Sequence, residues 1–200
     1  NSKNIKEMSN AILKNLSVIL LDRDGVINKE PGPILSPEQF LMIPRSAGAV
    51  ARINARGWRC FVITNQSAIA RGDLSESVFQ TITDKMRLEL GKSEAHIDGL
   101  YYCPHHPDWE NGQRRTVSIE CTCRKPGTLL LEQAAAEHGF SKEEAVLIGD
   151  STSDFAAAAR WGTCSIGVRT GHAGQDGITS TKPDHWKADL WEAVEFLLEN

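Results

Sequence analysis

Five short apolar runs, at residues 18–21, 60–64, 99–102, 145–148 and 164–168, punctuate the chain, and helix-patterned stretches separate most of them. Runs this short and this continuously apolar match strands covered on both faces. Strand–helix alternation forces right-handed crossovers, so the chain is expected to fold as an α/β protein around a doubly wound parallel sheet. The helical stretches are 46–56, 75–90, 128–138, 154–161 and 190–198, and Gly57, Gly91, Gly139 and Gly162 follow the first four as stop signals.

At 200 residues, 40% hydrophobic and 24% charged, the sequence fits one domain with a full core, placed at residues 16–200. Residues 1–15 read as an N-terminal extension without an assigned role. The most apolar early segment, 11–21, is broken by Lys14, Asn15 and Ser17 and lacks a small-residue cleavage site. No stretch reaches the roughly 20 apolar residues of a membrane span. A cytoplasmic monomer without a membrane partner is therefore expected. The net charge of −4 arises from scattered residues with no basic stripe, which argues against a nucleic-acid partner. A small anion held by a few local cations remains compatible with it.

In a doubly wound sheet, ligands bind outside the carboxyl ends of the strands, and four such ends carry polar groups. Asp22-Arg23-Asp24-Gly25 follows the first run and offers one carboxylate to attack and another to move protons. Thr64-Asn65-Gln66-Ser67 offers short donors for oxyanions, and Arg124-Lys125-Pro126-Gly127 offers two cations. Gly149-Asp150 precedes Asp154 at a helix start. Singly, each also reads as a turn, a solvated pair or a helix cap. The topology brings all four to one edge, and that convergence singles them out. Asp22, Asp24 and Asp150 would repel one another there, and hard oxygen donors suit Mg²⁺ shared with a phosphate. Two connections longer than a βα loop requires, 23–44 and 103–126, follow strand ends and should overhang the same crevice.

The second connection also carries Cys103-Pro104-His105-His106 and Cys121-Thr122-Cys123. Three thiolates and an imidazole suffice for a closed, structural tetrahedral zinc site, with His105 or His106 as the fourth ligand. The loop, 103–123, lacks apolar residues for a core of its own, as metal-stapled segments do. Cys60 and Cys164 lie inside apolar runs and read as packing. His96, His138, His172 and His185 read as surface or helix-end residues.

In order and spacing, Asp22-x-Asp24-Gly25, Thr64-Asn65, Lys125 and Gly149-Asp150-x-x-x-Asp154 resemble the four motifs of the haloacid dehalogenase superfamily, over nearly everything from Val18 onward. The segments 22–28, 64–72, 101–107 and 121–126 resemble those of D-glycero-D-manno-heptose 1,7-bisphosphate phosphatases, a branch shared with histidinol-phosphate phosphatases. The resemblance implies a Rossmann-like haloacid dehalogenase fold with a zinc loop, and no insertion is large enough for a cap domain. It implies that Asp22 forms an aspartyl-phosphate and that Asp24 serves as acid and then base. Thr64 and Lys125 would stabilise the phosphoryl oxygens, and Asp22, the Asp24 carbonyl and Asp150 would hold Mg²⁺ with Asp154 in support. For zinc it favours His105 beside Cys103, Cys121 and Cys123. Asn65, Arg124, Glu30, Pro31, Gly32 and Pro33 would meet the substrate, Arg124 gripping a second phosphate. Glu30-Pro31-Gly32-Pro33 and Ser151 depart from the family's usual residues at positions that bear on substrate selection. The implied activity is removal of the C7 phosphate from heptose 1,7-bisphosphate in lipopolysaccharide or surface-heptose precursor synthesis. Rival readings are a phosphatase for histidinol phosphate or another sugar phosphate and, from another class, a catalytically silent zinc-scaffolded binding module.

Overall fold

The computed structural model describes residues 14–200, so the expected N-terminal extension lies outside the described residues except for Lys14 and Asn15. Six strands, β1 (Val18–Leu21), β2 (Arg59–Asn65), β3 (Gly99–Cys103), β6 (Ala145–Gly149), β7 (Cys164–Val168) and β8 (His185–Lys187), form one sheet in the order β3-β2-β1-β6-β7-β8. Every neighbouring pair is parallel. Leu21 stands level with Val62 of β2 and Ile148 of β6, so β1 and β6 end within one residue of each other while β2 runs three residues further, to Asn65. The chain order reverses between β1 and β6, which opens the crevice directly above Asp22.

Strand side chains alternate between two cores, as a two-residue period demands. Ile19, Leu21, Cys60, Val62, Val146 and Ile148 face one of them. There they meet α1 (Ser46–Ala55), α2 (Glu76–Gly91) and α5 (Leu190–Glu199), through residues such as Ile53, Met86 and Val194. Val18, Leu20, Phe61, Ile63 and Leu147 face the other, against α3 (Leu129–His138) and α4 (Thr152–Trp161). Burying each such Leu or Ile is worth about 1.5–3 kcal/mol, which leaves polar residues only the strand ends to occupy.

Helix ends follow local chemistry. The Ser75 hydroxyl accepts from the Val78 N–H, and Ser151 and Asp154 cap α4 reciprocally, starting it two residues before the expected position. Gly139 and Gly162 close α3 and α4 in the left-handed region, at φ 63° and 90°. The expected stop at Gly91 does not hold, because Gly91 is the last residue of α2. The N–H groups of Lys92, Ser93 and Glu94 keep bonding back to Leu88, Leu90 and Gly91, so the left-handed residue is Glu94, at φ 56°.

Two features had no counterpart in the sequence reading. The edge strand β8 is three half-buried residues paired only to β7, and it includes His185. The second long connection folds back on itself as a hairpin of β4 (Trp109–Glu110) and β5 (Gln113–Arg114). Its Asn111-Gly112 tip has both φ angles positive, 49° and 76°, as a tight two-residue hairpin requires. Among the described residues, no helix is long and apolar enough to cross a membrane.

Candidate active site

Lys125 is the hub of the crevice. The residue is only 2% exposed, and its ammonium donates to the Ile63 carbonyl at 2.7 Å and forms ion pairs with Asp22 Oδ1 (3.0 Å) and Asp154 Oδ1 (2.6 Å). Burial alone would depress its pKa, but the charges of Asp154 and Asp22 outweigh that and hold it above the usual lysine value. Asn65 grips its backbone from both sides, accepting the Lys125 N–H at 3.0 Å and donating to the Lys125 carbonyl at 3.1 Å. Thr64, buried beside Asn65, accepts from Gln66 Nε2 at 3.0 Å.

Asp22 begins where β1 ends, its N–H still bonded to the Ile148 carbonyl at 3.0 Å. Its Oδ1 also accepts the Arg23 N–H at 2.7 Å. Burial pushes its pKa up to about 7, with the charges of Asp154 and Asp24 adding and Lys125 opposing.

Asp24 meets the opposite treatment. The fully buried Arg23 grips it bidentately, Nε to Oδ1 at 3.1 Å and Nη2 to Oδ2 at 2.9 Å. Asn28 Nδ2 and Gln66 Nε2 add bonds of 2.9 and 2.8 Å. Burial would raise this carboxyl, but the Arg23 charge and the three donors overcome it and hold Asp24 below the usual carboxylate range. Arg23 and Asn28 had no role assigned from sequence, and Gln66 was expected among the short donors for oxyanions rather than as a partner of Asp24. The signal for Arg23 was its place between two aspartates, where a charged side chain has no route to solvent.

Asp150 closes the third side. Burial pushes it up to about 9, helped by the charges of Asp22 and Asp154, although the His172 N–H donates to its Oδ2 at 2.5 Å. Burial likewise lifts Glu30 to about 8, with Asp24, Asp22 and Asp154 adding their charges. One oxygen from each of Asp22, Asp150 and Asp154 lies within 4.8 Å of the others. Against a single lysine, that excess of carboxylate fits a hard divalent cation.

Asp22, Asp24, Glu30, Thr64, Asn65, Arg124, Lys125 and Asp150 line one cavity of about 160 Å³, and Asp154 stands behind Lys125. Pro31, Gly32 and Pro33 do not line it. His172 is exposed, as a surface residue is expected to be, and the turn after β7 also brings it to the cavity wall. The strand-end rule that nominated the other four segments applied to this fifth strand as well.

The second long connection gathers Cys103, His105, Cys121 and Cys123, whose donor atoms lie within 4.8 Å of one another. His105 Nδ1 is 3.0 Å from Cys121 Sγ and 3.3 Å from Cys123 Sγ. His106 is outside the group, and its Nδ1 accepts the Asp108 N–H at 3.0 Å. Burial would raise the Cys121 thiol, but hydrogen bonds from Cys123, the Arg124 and Cys123 N–H groups and His105 lower it to about 6. A set of soft donors with a ready thiolate could bind zinc.

The HAD-hydrolase-like family model matches residues 122–193, the span that holds Lys125, Asp150 and Asp154. The chain is 37% identical over 159 residues to D-glycero-alpha-D-manno-heptose-1,7-bisphosphate 7-phosphatase of Photorhabdus laumondii, covering 78% of this chain and 85% of that protein. It is 34% identical over 190 residues to the D-glycero-D-manno-heptose-1,7-bisphosphate 7-phosphatase of Chlorobaculum tepidum, covering 91% and 94%. The crystal structure of D,D-heptose 1,7-bisphosphate phosphatase from B. bronchiseptica, complexed with magnesium and phosphate, superposes with a TM-score of 0.80 at 31% identity, covering 92% of this chain and 99% of that one. By its relatives and its fold, the chain is an enzyme of the haloacid-dehalogenase-like hydrolases and belongs to the family of the D-glycero-D-manno-heptose-1,7-bisphosphate 7-phosphatases.

Proposed function

We propose that this enzyme hydrolyses the C7 phosphomonoester of D-glycero-D-manno-heptose 1,7-bisphosphate through a phosphorylated Asp22. The observation that carries the reading is the buried Lys125 seated between Asp22 and Asp154, beside an Asp24 held by its own set of donors. A carboxylate oxygen of Asp22 attacks phosphorus, and the bond to the sugar oxygen breaks. Asp24 gives that oxygen its proton, then takes one from the water that attacks the acyl phosphate, which restores Asp22. Arg23, Asn28 and Gln66 keep Asp24 ionised in the free enzyme, and the negative phosphoryl group raises its proton affinity on arrival, so that Asp24 takes from solvent the proton it then gives to the leaving oxygen. Lys125 and Thr64 stabilise the phosphoryl oxygens. Asp22, Asp150 and the Asp24 carbonyl would hold Mg²⁺, which supplies charge neutralisation for the transferring group. Glu30, Asn65 and Arg124 meet the sugar phosphate, with Pro31, Gly32 and Pro33 shaping the loop that carries Glu30. We place the enzyme in the cytoplasm as a monomer, with residues 16–200 as one phosphatase domain, in the synthesis of lipopolysaccharide or surface-heptose precursors. The test is magnesium-dependent phosphate release from both anomers of the bisphosphate and from histidinol phosphate. A preference for a heptose bisphosphate of about 10-fold or more in kcat/KM supports the reading, and equal or faster turnover of histidinol phosphate overturns it.

The raised carboxyls make metal binding and pH interdependent. Asp22 and Asp150 have folded pKa values of about 7 and about 9, above the ordinary 3.8, so their stabilising effect is complete below that ordinary value and is lost as pH rises through the folded ones. The metal-free enzyme should therefore melt at a lower temperature near about pH 8.5 than near about pH 6, and Mg²⁺ should raise the Tm more at the higher pH. Melting curves at both pH values with and without Mg²⁺ check this, and an equal Mg²⁺ effect would contradict it.

Cys103, His105, Cys121 and Cys123 would hold one structural zinc, and the loop they close delivers Arg124 and Lys125 to the crevice. Cys123→Ser should lose the zinc and, by displacing Lys125, slow phosphate release on the order of 10²-fold. Metal analysis beside a phosphate assay reads both, and full activity without zinc would break the link.

A further inference from the structure

The mouth of the cavity is built from two sides of the sheet with opposite electrostatics. From the β3 side comes Arg124, a guanidinium suited to an anion. From the β1 and β7 side come Glu30 and His172, whose Oε2 and Nε2 lie 3.2 Å apart. His172 is the one basic side chain within ion-pair distance of Glu30 among the described residues. The turn that carries His172 is fixed by close backbone approach. A Cβ at Gly171 would sit 2.1 Å from Asp150 Oδ2 and 2.7 Å from Gly25 Cα, and the His172 N–H binds the same carboxylate. The histidine ring is thus delivered across the crevice to Glu30 although half of its side chain is exposed.

A carboxylate at the rim of an anion site works against phosphate entry unless it is neutralised and has a use of its own. Asp22, Asp24 and Asp150 already make this wall acidic, so a second phosphate is disfavoured there. A neutral hydroxyl is not disfavoured, because it can donate to Glu30 and accept from a nitrogen beside it. We propose that His172 is a positioning residue that holds Glu30 toward the cavity, and that the pair selects a leaving group bearing hydroxyls. The inference deepens the proposed sugar-phosphate reading and rests on it. A hydroxyl-bearing leaving group lies along Glu30 and His172, while any second phosphate points to the Arg124 side.

The experiment measures kcat and KM for the full chain and for His172→Ala, His172→Gln, Glu30→Gln and His172→Ala/Glu30→Gln, on heptose 1,7-bisphosphate and on phenyl phosphate. Phenyl phosphate presents no hydroxyl beyond the phosphoryl group. In His172→Ala the ratio of kcat/KM for the two substrates should fall about 10-fold or more, through KM for the sugar. His172→Gln, whose amide can donate to Glu30, should recover most of the ratio. The double variant should be no worse than Glu30→Gln alone, as coupled residues require. An unchanged ratio in His172→Ala, equal losses on both substrates, or additive losses in the double variant would overturn the inference. Failure of the heptose reading shows separately, in the parent enzyme, as faster turnover of another sugar phosphate, and the ratio is then taken on that compound. A parent enzyme indifferent to hydroxyls in the leaving group overturns the inference as well.

Discussion

Asp22→Asn should release phosphate more slowly than the parent by about 10⁴-fold or more, while its melting temperature stays the same or rises at alkaline pH. The carboxamide is nearly isosteric, so the Arg23 N–H keeps an oxygen acceptor at the end of β1. It has no anionic oxygen with which to attack, and no other carboxylate takes its place, because Asp24 is pinned by three donors and Asp154 by its helix cap. The stability follows from the sign of the pKa shift. A carboxyl lifted to about 7 by burial and by Asp154 and Asp24 is, when ionised, a net burden on the folded state. Removing that charge relieves repulsion at the cost of one attraction to Lys125. Phosphate assays and calorimetry on one preparation decide the matter, and activity above about one per cent of the parent would remove Asp22 from the nucleophile's role.

Lys125→Met should be the most destabilising single substitution in the crevice. The thioether fills much of the volume but satisfies none of the three acceptors that the ammonium serves, and it leaves Asp22 and Asp154 facing each other without a cation. Breaking one side of a buried ion network typically costs about 3–5 kcal/mol. For a chain of this size that corresponds to a fall of roughly 6–20 °C in Tm, and phosphate release should drop by about 10³-fold in parallel. Mg²⁺ should return part of the melting temperature, since it supplies positive charge to the same carboxylates, but little of the activity. A Tm loss below about 2 °C would show that the ammonium contributes far less than its burial implies.

The central strands were legible because burial on both faces writes itself as an unbroken apolar run, and their order because alternation with helices leaves few topologies. β8 was illegible for the converse reason: a three-residue edge strand, half exposed, carries neither an apolar run nor a clean alternation. Arg23 was passed over because a charged residue is almost never fully buried, and only the structure shows it sealed against Asp24 with its guanidinium 5.6 Å from the Phe79 ring centre. Asn65 illustrates a subtler gap. Beyond the substrate contact that the sequence suggested, its amide also clamps the Lys125 backbone, a long-range pairing that local pattern cannot encode. The hairpin at Asn111-Gly112 had its signal in plain view, but metal-ligand spacing claimed that loop first.

Both ends of the cysteine loop are tied to one residue. Cys103 lies opposite Asn65 in the β2–β3 ladder, and Asn65 clamps Lys125 two positions beyond Cys123. Inside the metal-ligating ends, at 103–105 and 121–123, the stretch between can change length or composition without moving the lysine. The exposed tip from Asn111 to Arg114 and the solvent-facing Val117 and Ile119 occupy that interval. The middle of the loop is therefore an exchangeable cassette: its ends are fixed by Asn65 and the metal-ligating group, so its tip can be rewritten without disturbing the residues that break the phosphate ester.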